Sequence, residues 1–171
     1  MKTSDLKFDG EMPFYKTYID TLGEVDMMEA LENQLVNFPK FMNSISEHKL
    51  NYAYGEGKWT VMQVLVHIID TERVFQYRAL RFSRGDKTPL PGFDQDLFIA
   101  GALHHSYTRE SVIAEYKAVR TSTIALYKSM DAVSLLLPGT ASGLEWSAAK
   151  LGFVISGHQR YHRDILRERY L

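Results

Sequence analysis

The chain has 171 residues, 45% of them hydrophobic, which is enough for a single domain with a sizeable core. With 20 basic and 21 acidic residues the formal net charge is −1, so no positive field recruits a polyanion and nucleic acid is not an expected partner. Cysteine is absent, which excludes disulfides, thiolate nucleophiles and sulfur-held metals; any metal must sit on His, Asp, Glu or water.

No apolar run approaches the roughly 18 residues of a membrane span and no basic-then-apolar leader is present, so a cytoplasmic protein is expected. Residues 1–25 read as an N-terminal arm: Gly10, Pro13 and Gly23 interrupt it, and Phe14, Tyr15, Tyr18 and Ile19 form an aromatic cluster suited to covering the body. From Asp26 the helical period takes hold. Met27, Leu31, Leu35, Phe38, Met42 and Ile45 step by three or four, predicting a helix near 26–47 with one buried face and a kink at Pro39. His48 falls in its polar tail and reads as a surface residue.

Gly55 and Gly57 mark a loop, and a second helix is predicted near 60–82 on the stripe Val61, Leu65, Ile68, Phe75. His67 lies on the flank of that stripe, with Asp70 at i+3 and Thr71 at i+4 on the same side. Its two readings are a hydrogen-bonded core histidine and a metal ligand with Asp70 supporting it. Residues 83–107 form a long crossover, with Gly85, Pro89, Pro91 and Gly92 forbidding regular structure early in it. Such a length exceeds the 2–8 residues usual between bundle neighbours and lets the flanking helices run parallel. His104 and His105 end the crossover and are further candidates to reach a metal.

Thr108 is a cap for a third helix near 108–131, whose stripe runs Val112, Tyr116, Val119, Thr123, Leu126, Met130. Arg120 lies just off that stripe, and a surface position is expected for it. Leu137 to Gly143 reads as a turn. The fourth helix is predicted near 145–169, where no proline intervenes and the apolar positions step Leu144, Ala148, Leu151, Ile155, His158, His162, Ile165. Two imidazoles four residues apart face the same way on a helix. The fold expected is therefore all-α: one domain, 1–171, a four-helix bundle with a long crossover between helices two and three, in the order up, down, down, up.

That order decides whether the histidines meet. At 1.5 Å rise per residue, His67 lies roughly 10 Å from the start of its helix, and the midpoint of His158 and His162 about 14 Å from the end of the fourth. Antiparallel packing matches these levels within one turn, whereas parallel packing separates them by about 12 Å. The long crossover sets the two helices antiparallel, so the geometry allows a site of His67, His158 and His162. Three neutral imidazoles leave an open position on Zn²⁺, Ni²⁺ or a similar ion. Without a metal, the two histidines on an apolar stripe need other hydrogen-bond partners, and Gln159, Arg160 and Tyr161 point elsewhere on the helix.

The run Lys58-Trp59-Thr60 leading to His67-Ile68-Ile69-Asp70, Arg73, Arg78 and Arg81-Phe82 resembles the second helix of the DinB/YfiT-like proteins. Leu90-Pro91-Gly92-Phe93-Asp94 is similar to their crossover, and Ser156-Gly157-His158 through His162 and on to Leu171 is similar to their C-terminal signature. The resemblance implies a four-helix bundle, often a homodimer, with one divalent metal on a histidine triad that falls on His67, His158 and His162. Many relatives carry two adjacent histidines at the end of the motif; here the first is Tyr161, a residue for packing or for acid chemistry near the metal. Characterised relatives include S-transferases using low-molecular-weight thiols of the bacillithiol or mycothiol type, a mycothiol-dependent isomerase, and metal-dependent hydrolases. The implied function is metal-dependent chemistry on a small-molecule substrate, of hydrolase or thiol S-transferase type. The alternative is a non-catalytic metal-binding or structural dimer, with Asp70 or another side chain closing the site. Arg73, Arg78 and Arg120 are candidates for binding substrate carboxylates or for forming salt bridges. No catalytic residue is singled out.

Overall fold

The computed structural model describes residues 1–6, 13–102 and 106–171; His104 and His105 lie outside the described residues. Seven α-helices are present among them: α1 (Pro13–Asp20), α2 (Met27–Ser44), α3 (Val61–Ser83), α4 (Gln95–Gly101), α5 (Arg109–Lys128), α6 (Ala132–Leu136) and α7 (Ala148–Arg169). The long four, α2, α3, α5 and α7, are the helices predicted from periodicity. Each begins at a residue whose side chain accepts orphan backbone N–H groups: Asp26, Thr60, Thr108 and Ser147. Thr60 and Thr108 complete capping boxes with Gln63 and Ser111. α2 continues through Pro39.

Side-chain contacts give the helix directions. Gln34 donates to Ser156 O and Lys49 to Tyr170 O, so α2 and α7 run together. Arg120 reaches Leu31 O and Arg109 reaches Ile45 O, so α2 and α5 oppose. Arg73 pairs with Glu115 and Gln76 with Ser122, so α3 and α5 run together. His67 lies beside His158 while Tyr170 donates to Trp59 O near the other end, so α3 and α7 oppose. No helix among the described residues is long and apolar enough to cross a membrane.

Three departures from the expected layout surround this frame. Residues 144–147 are not helical: β1 (Pro138–Ala141) and β2 (Leu144–Ser147) form an antiparallel hairpin. Its turn is Ser142-Gly143, both at positive φ (53° and 76°), the geometry that suits a two-residue hairpin. Trp146 is thereby buried and donates to Ala141 O. Second, the crossover is partly ordered: Leu90 exchanges backbone hydrogen bonds with Thr140 and Ser142, and Asp94 caps α4. Third, the N-terminal arm contains α1, which lies on α7. At Gly157 a Cβ would stand 2.3 Å from Tyr18 O, so this contact requires glycine.

The apolar interior falls into two clusters. One includes Leu65, Ile69, Val112 and Leu166; the other includes Phe75, Trp146, Leu151 and Ile155. Along α3 the change comes between Ile69 and Phe75, and along α7 between Ile155 and Leu166. His158 and His162 fall within the α7 interval, and His67 lies two residues before the α3 one.

Candidate metal centre

His158 and His162 face α3 because they extend the stripe of Leu151 and Ile155 by whole turns of α7. His67 meets them because it lies near the start of an opposing helix. The three imidazoles offer nitrogens that all lie within 4.8 Å of one another. Nε2 of His67 and Nε2 of His158 are 3.0 Å apart, and the ring centroids of the trio are 4.4–4.9 Å apart. Two nitrogens bound to one tetrahedral zinc, each at about 2.05 Å, are about 3.3 Å apart, so the observed convergence fits a shared ion.

The surroundings keep these rings neutral. Burial pulls His67 down to about 4 and His162 to about 3, and His158 lies well below its ordinary value through burial and then the neighbouring imidazoles. Neutral imidazole is the metal-binding form. His67 and His158 are each 4% exposed. Tyr18 sets its ring edge-on to His158, and Trp59 lies against His67. His67 Nε2 is directed at the other histidines, and Nδ1 lies 3.4 Å from Thr71 Oγ1, the nitrogen that would carry the proton when Nε2 holds a metal. Asp70, the expected support for His67, is turned away; its carboxylate lies 3.5 Å from Arg73. Position i+4 on α3, not i+3, faces the imidazole. Asp70 therefore does not close the cluster as a fourth ligand, and among the described residues no other acid joins the three histidines. Tyr161 packs edge-on against His162 and Tyr18.

Cavities adjoin the trio on two sides. A small one of about 110 Å³ reaches His67 and His158 past Tyr15, Tyr18, Phe75 and Phe93, with Thr71 and Ser142 as polar lining. A larger one of about 280 Å³ reaches His162 between Trp59, Lys58, Arg169 and Asp96. The contributions of Tyr18, Phe93 and Ser142 escape sequence reasoning. Tyr18 had a signal, the aromatic cluster of the arm, but it read as cover.

The predicted arginines separate clearly. Arg73 is half-exposed and paired with Glu115. Arg120 is not at the surface: it is fully buried, because Glu72 on α3 takes its guanidinium bidentately at 2.7 and 2.8 Å. Arg78 is buried as well, against Pro91 O and Ser142 Oγ.

A helical bundle with three converging neutral histidines defines a class of candidate metal proteins. Comparison places the chain within it: a sequence profile of the DinB superfamily matches residues 30–166, and the protein belongs to that superfamily. It is 28% identical over 72 residues to the protein of Oceanobacillus iheyensis named Putative metal-dependent hydrolase OB0413, a match covering 42% of this chain and 41% of that one. The stretch thus spans about two fifths of that relative. The structure is similar to that of YfiT from Bacillus subtilis, described as a probable metal-dependent hydrolase with an unusual four-helix bundle topology. The TM-score is 0.65 over 96% of this chain and 93% of that one, at 16% identity, a likeness of fold.

Proposed function

We propose that the protein is a metal-dependent hydrolase whose single divalent ion, zinc or nickel, is held by His67, His158 and His162. The observation that carries this reading is the convergence of three neutral imidazoles, two buried and one half-buried, with no fourth His, Asp or Glu joining them among the described residues. The family and the names of the two relatives agree with it. An ion bound there supplies Lewis-acid chemistry, lowering the pKa of a bound water towards about 7 and polarising a substrate carbonyl. The chain's own part is to present lone pairs without first losing protons, to offer the His67 ring a weak hydrogen bond from its Nδ1 side at Thr71, and to shield the site with Tyr18 and Trp59.

The test is metal analysis of the purified, untagged protein beside His158→Ala. Near one zinc or nickel per parent chain, and a small fraction of that in the variant, is the expected result. A parent that holds no metal and takes none up on titration overturns the reading. Hydrolysis is then sought on a panel of amides and esters, with and without chelator.

A second reading, transfer to a low-molecular-weight thiol, is favoured by the two cavities that adjoin the trio, since group transfer needs room for two organic reactants where hydrolysis needs one. It predicts turnover of an electrophile that rises with added bacillithiol- or mycothiol-type thiol. A homodimer acting on a small-molecule substrate completes the proposal, and sedimentation equilibrium tests its oligomeric part.

A further inference from the structure

The two cavities beside the histidines differ in charge. The small one is lined by aromatic and uncharged polar side chains together with the neutral His67 and His158. The larger, of about 280 Å³, is lined by Lys58, Asp96 and Arg169 as well as His162. His162, Ile165 and Arg169 stand at i, i+3 and i+7 of α7, one face of that helix. Lys58 comes from the turn before α3, where its N–H donates to Gly55 O at 3.2 Å and Gly57 takes a φ of 68°. The remaining walls are aromatic and fixed to one another. Tyr170 is buried, donates to Trp59 O at 2.9 Å and meets the Tyr54 ring edge-on at 4.8 Å. Trp59 continues to the metal centre, its ring 4.8 Å from that of His67. The Arg169 guanidinium lies 5.8 Å from the Tyr54 ring. Among the described residues no carboxylate pairs with Lys58 or Arg169, whereas Arg73, Arg81 and Arg109 each have one.

We propose that the larger cavity takes the substrate, a small organic acid with a planar body, its carboxylate on Lys58 and Arg169 and its reacting end towards His162. Seven residues of helix separate Arg169 from His162, about 10 Å along the axis. That is the length of a compound with its carboxylate at one end and its reacting group at the other. Between them the rings of Tyr54 and Trp59 offer flat apolar surface. A carboxylate is favoured over a phosphate, because Asp96 shares the lining and repels a second negative charge. The small cavity has no charged group to steer an acid. The competing role, two solvated surface cations, gives no preference for an acid over its amide. The inference deepens the hydrolase reading and rests on it for turnover, but not for binding.

Benzoate, its neutral isostere benzamide and phenyl phosphate are the probes, titrated into isotope-labelled full-length protein with and without chelator. A pH of about 8 makes phenyl phosphate a dianion. The indole N–H resonance of Trp59 reports binding in the cavity wall, and that of Trp146, buried beside the hairpin, is the internal control. Benzoate should bind at least about threefold tighter than benzamide, chelated or not, a modest margin because both cations are solvated. Lys58→Met with Arg169→Met removes the preference, each single variant removes part of it, and Asp96→Asn enlarges it. A preference below threefold overturns the proposal, as does a double variant that keeps it or a Trp59 resonance that does not move. Phenyl phosphate binding tighter than benzoate also overturns it. A preference that disappears with the chelator places the carboxylate on the metal and overturns it too. Should the double variant fail to fold, Asp96→Asn decides: the preference grows, or the assignment fails. Failure of metal uptake counts against the metal centre alone, whereas loss of the acid-over-amide preference counts against Lys58 and Arg169 alone.

Discussion

Arg120 lies in the middle of the bundle, bidentate to Glu72, with Gln34 accepting from Nη1 at 2.8 Å and Thr123 donating to the same carboxylate at 2.9 Å. Its charge, its donors and its partner's lone pairs are answered by neighbours from three helices, α2, α3 and α5. The histidine cluster, with two buried members and His162 half-buried, shares α3 with Glu72, yet its converging nitrogens meet chiefly one another. A polar group completed within the chain holds the fold together, whereas a polar group left incomplete is where an external ligand is to be sought. The two clusters should therefore fail in different ways when cut.

The largest effect is expected at the complete cluster. Arg120→Met leaves Glu72 buried without its counter-charge and should destabilise the fold by about 3–5 kcal/mol in urea denaturation. Replacing both, Arg120→Met with Glu72→Leu, should recover most of that loss. If the folded fraction of the single variant still takes up metal like the parent, the two clusters are independent. A single-variant cost under about 1 kcal/mol would mean that the pair is not sealed from water.

At the incomplete cluster the order of effects is reversed: binding suffers more than folding. His158→Ala removes a ligand and should weaken zinc or nickel binding by more than about 100-fold, a larger loss than supporting residues usually cause. Competition with a chromophoric chelator measures it. Affinity within tenfold of the parent would show that His158 is not a ligand.

Acid should separate the clusters next. His67 and His162 are held neutral, with pKa values of about 4 and about 3 against the ordinary 6.5. Below pH 6.5 the unfolded chain therefore binds protons that the native, metal-free chain refuses. Stability is full above about pH 6.5 and falls as pH drops towards 4, by up to about 1.4 kcal/mol per pH unit for each such histidine. Urea midpoints of chelated protein at pH 7.5, 6 and 5 test the slope, and a flat profile would break the argument that burial keeps the rings neutral.

The comparison also explains what could be read from the sequence. His158 and His162 were legible because a helix's own period fixes which residues share a face, and Leu151 and Ile155 identify that face as buried. His67 followed from chain direction, which the long crossover implied. Arg120 was misread because its burial depends on Glu72, 48 positions away on another helix, and nothing local announces that pairing. Residues 144–147 were misread for a similar reason. No proline forbids a helix there, but Ser142-Gly143 at positive φ and pairing with Pro138–Ala141 make them a strand. The assignment of support for His67 to Asp70 was a local error of a different kind. Both i+3 and i+4 fall near an imidazole, and the choice between them turns on side-chain direction, with Arg73 and Glu115 drawing the charged surface of α3 the other way.

Thr71 gives the smallest and finest test. Its hydroxyl is the neighbour of His67 Nδ1, but 3.4 Å is near the limit of a useful hydrogen bond, so its hold on the ring is weak. Supporting residues at metal sites usually contribute 10–100-fold in affinity, and Thr71 should fall at or below the bottom of that range. Thr71→Val keeps the volume, removes the acceptor and should weaken metal binding by no more than about tenfold, with little change in urea midpoint. It should also shift the pH at which metal is released slightly upward, because a His67 ring less firmly held competes less well against protons. A loss approaching that of His158→Ala would mean that the hydroxyl moves closer on metal binding and orients the ring in earnest. No loss at all would assign the orientation of His67 to Trp59 and the surrounding helix packing, leaving shape rather than hydrogen bonding to hold this corner of the site.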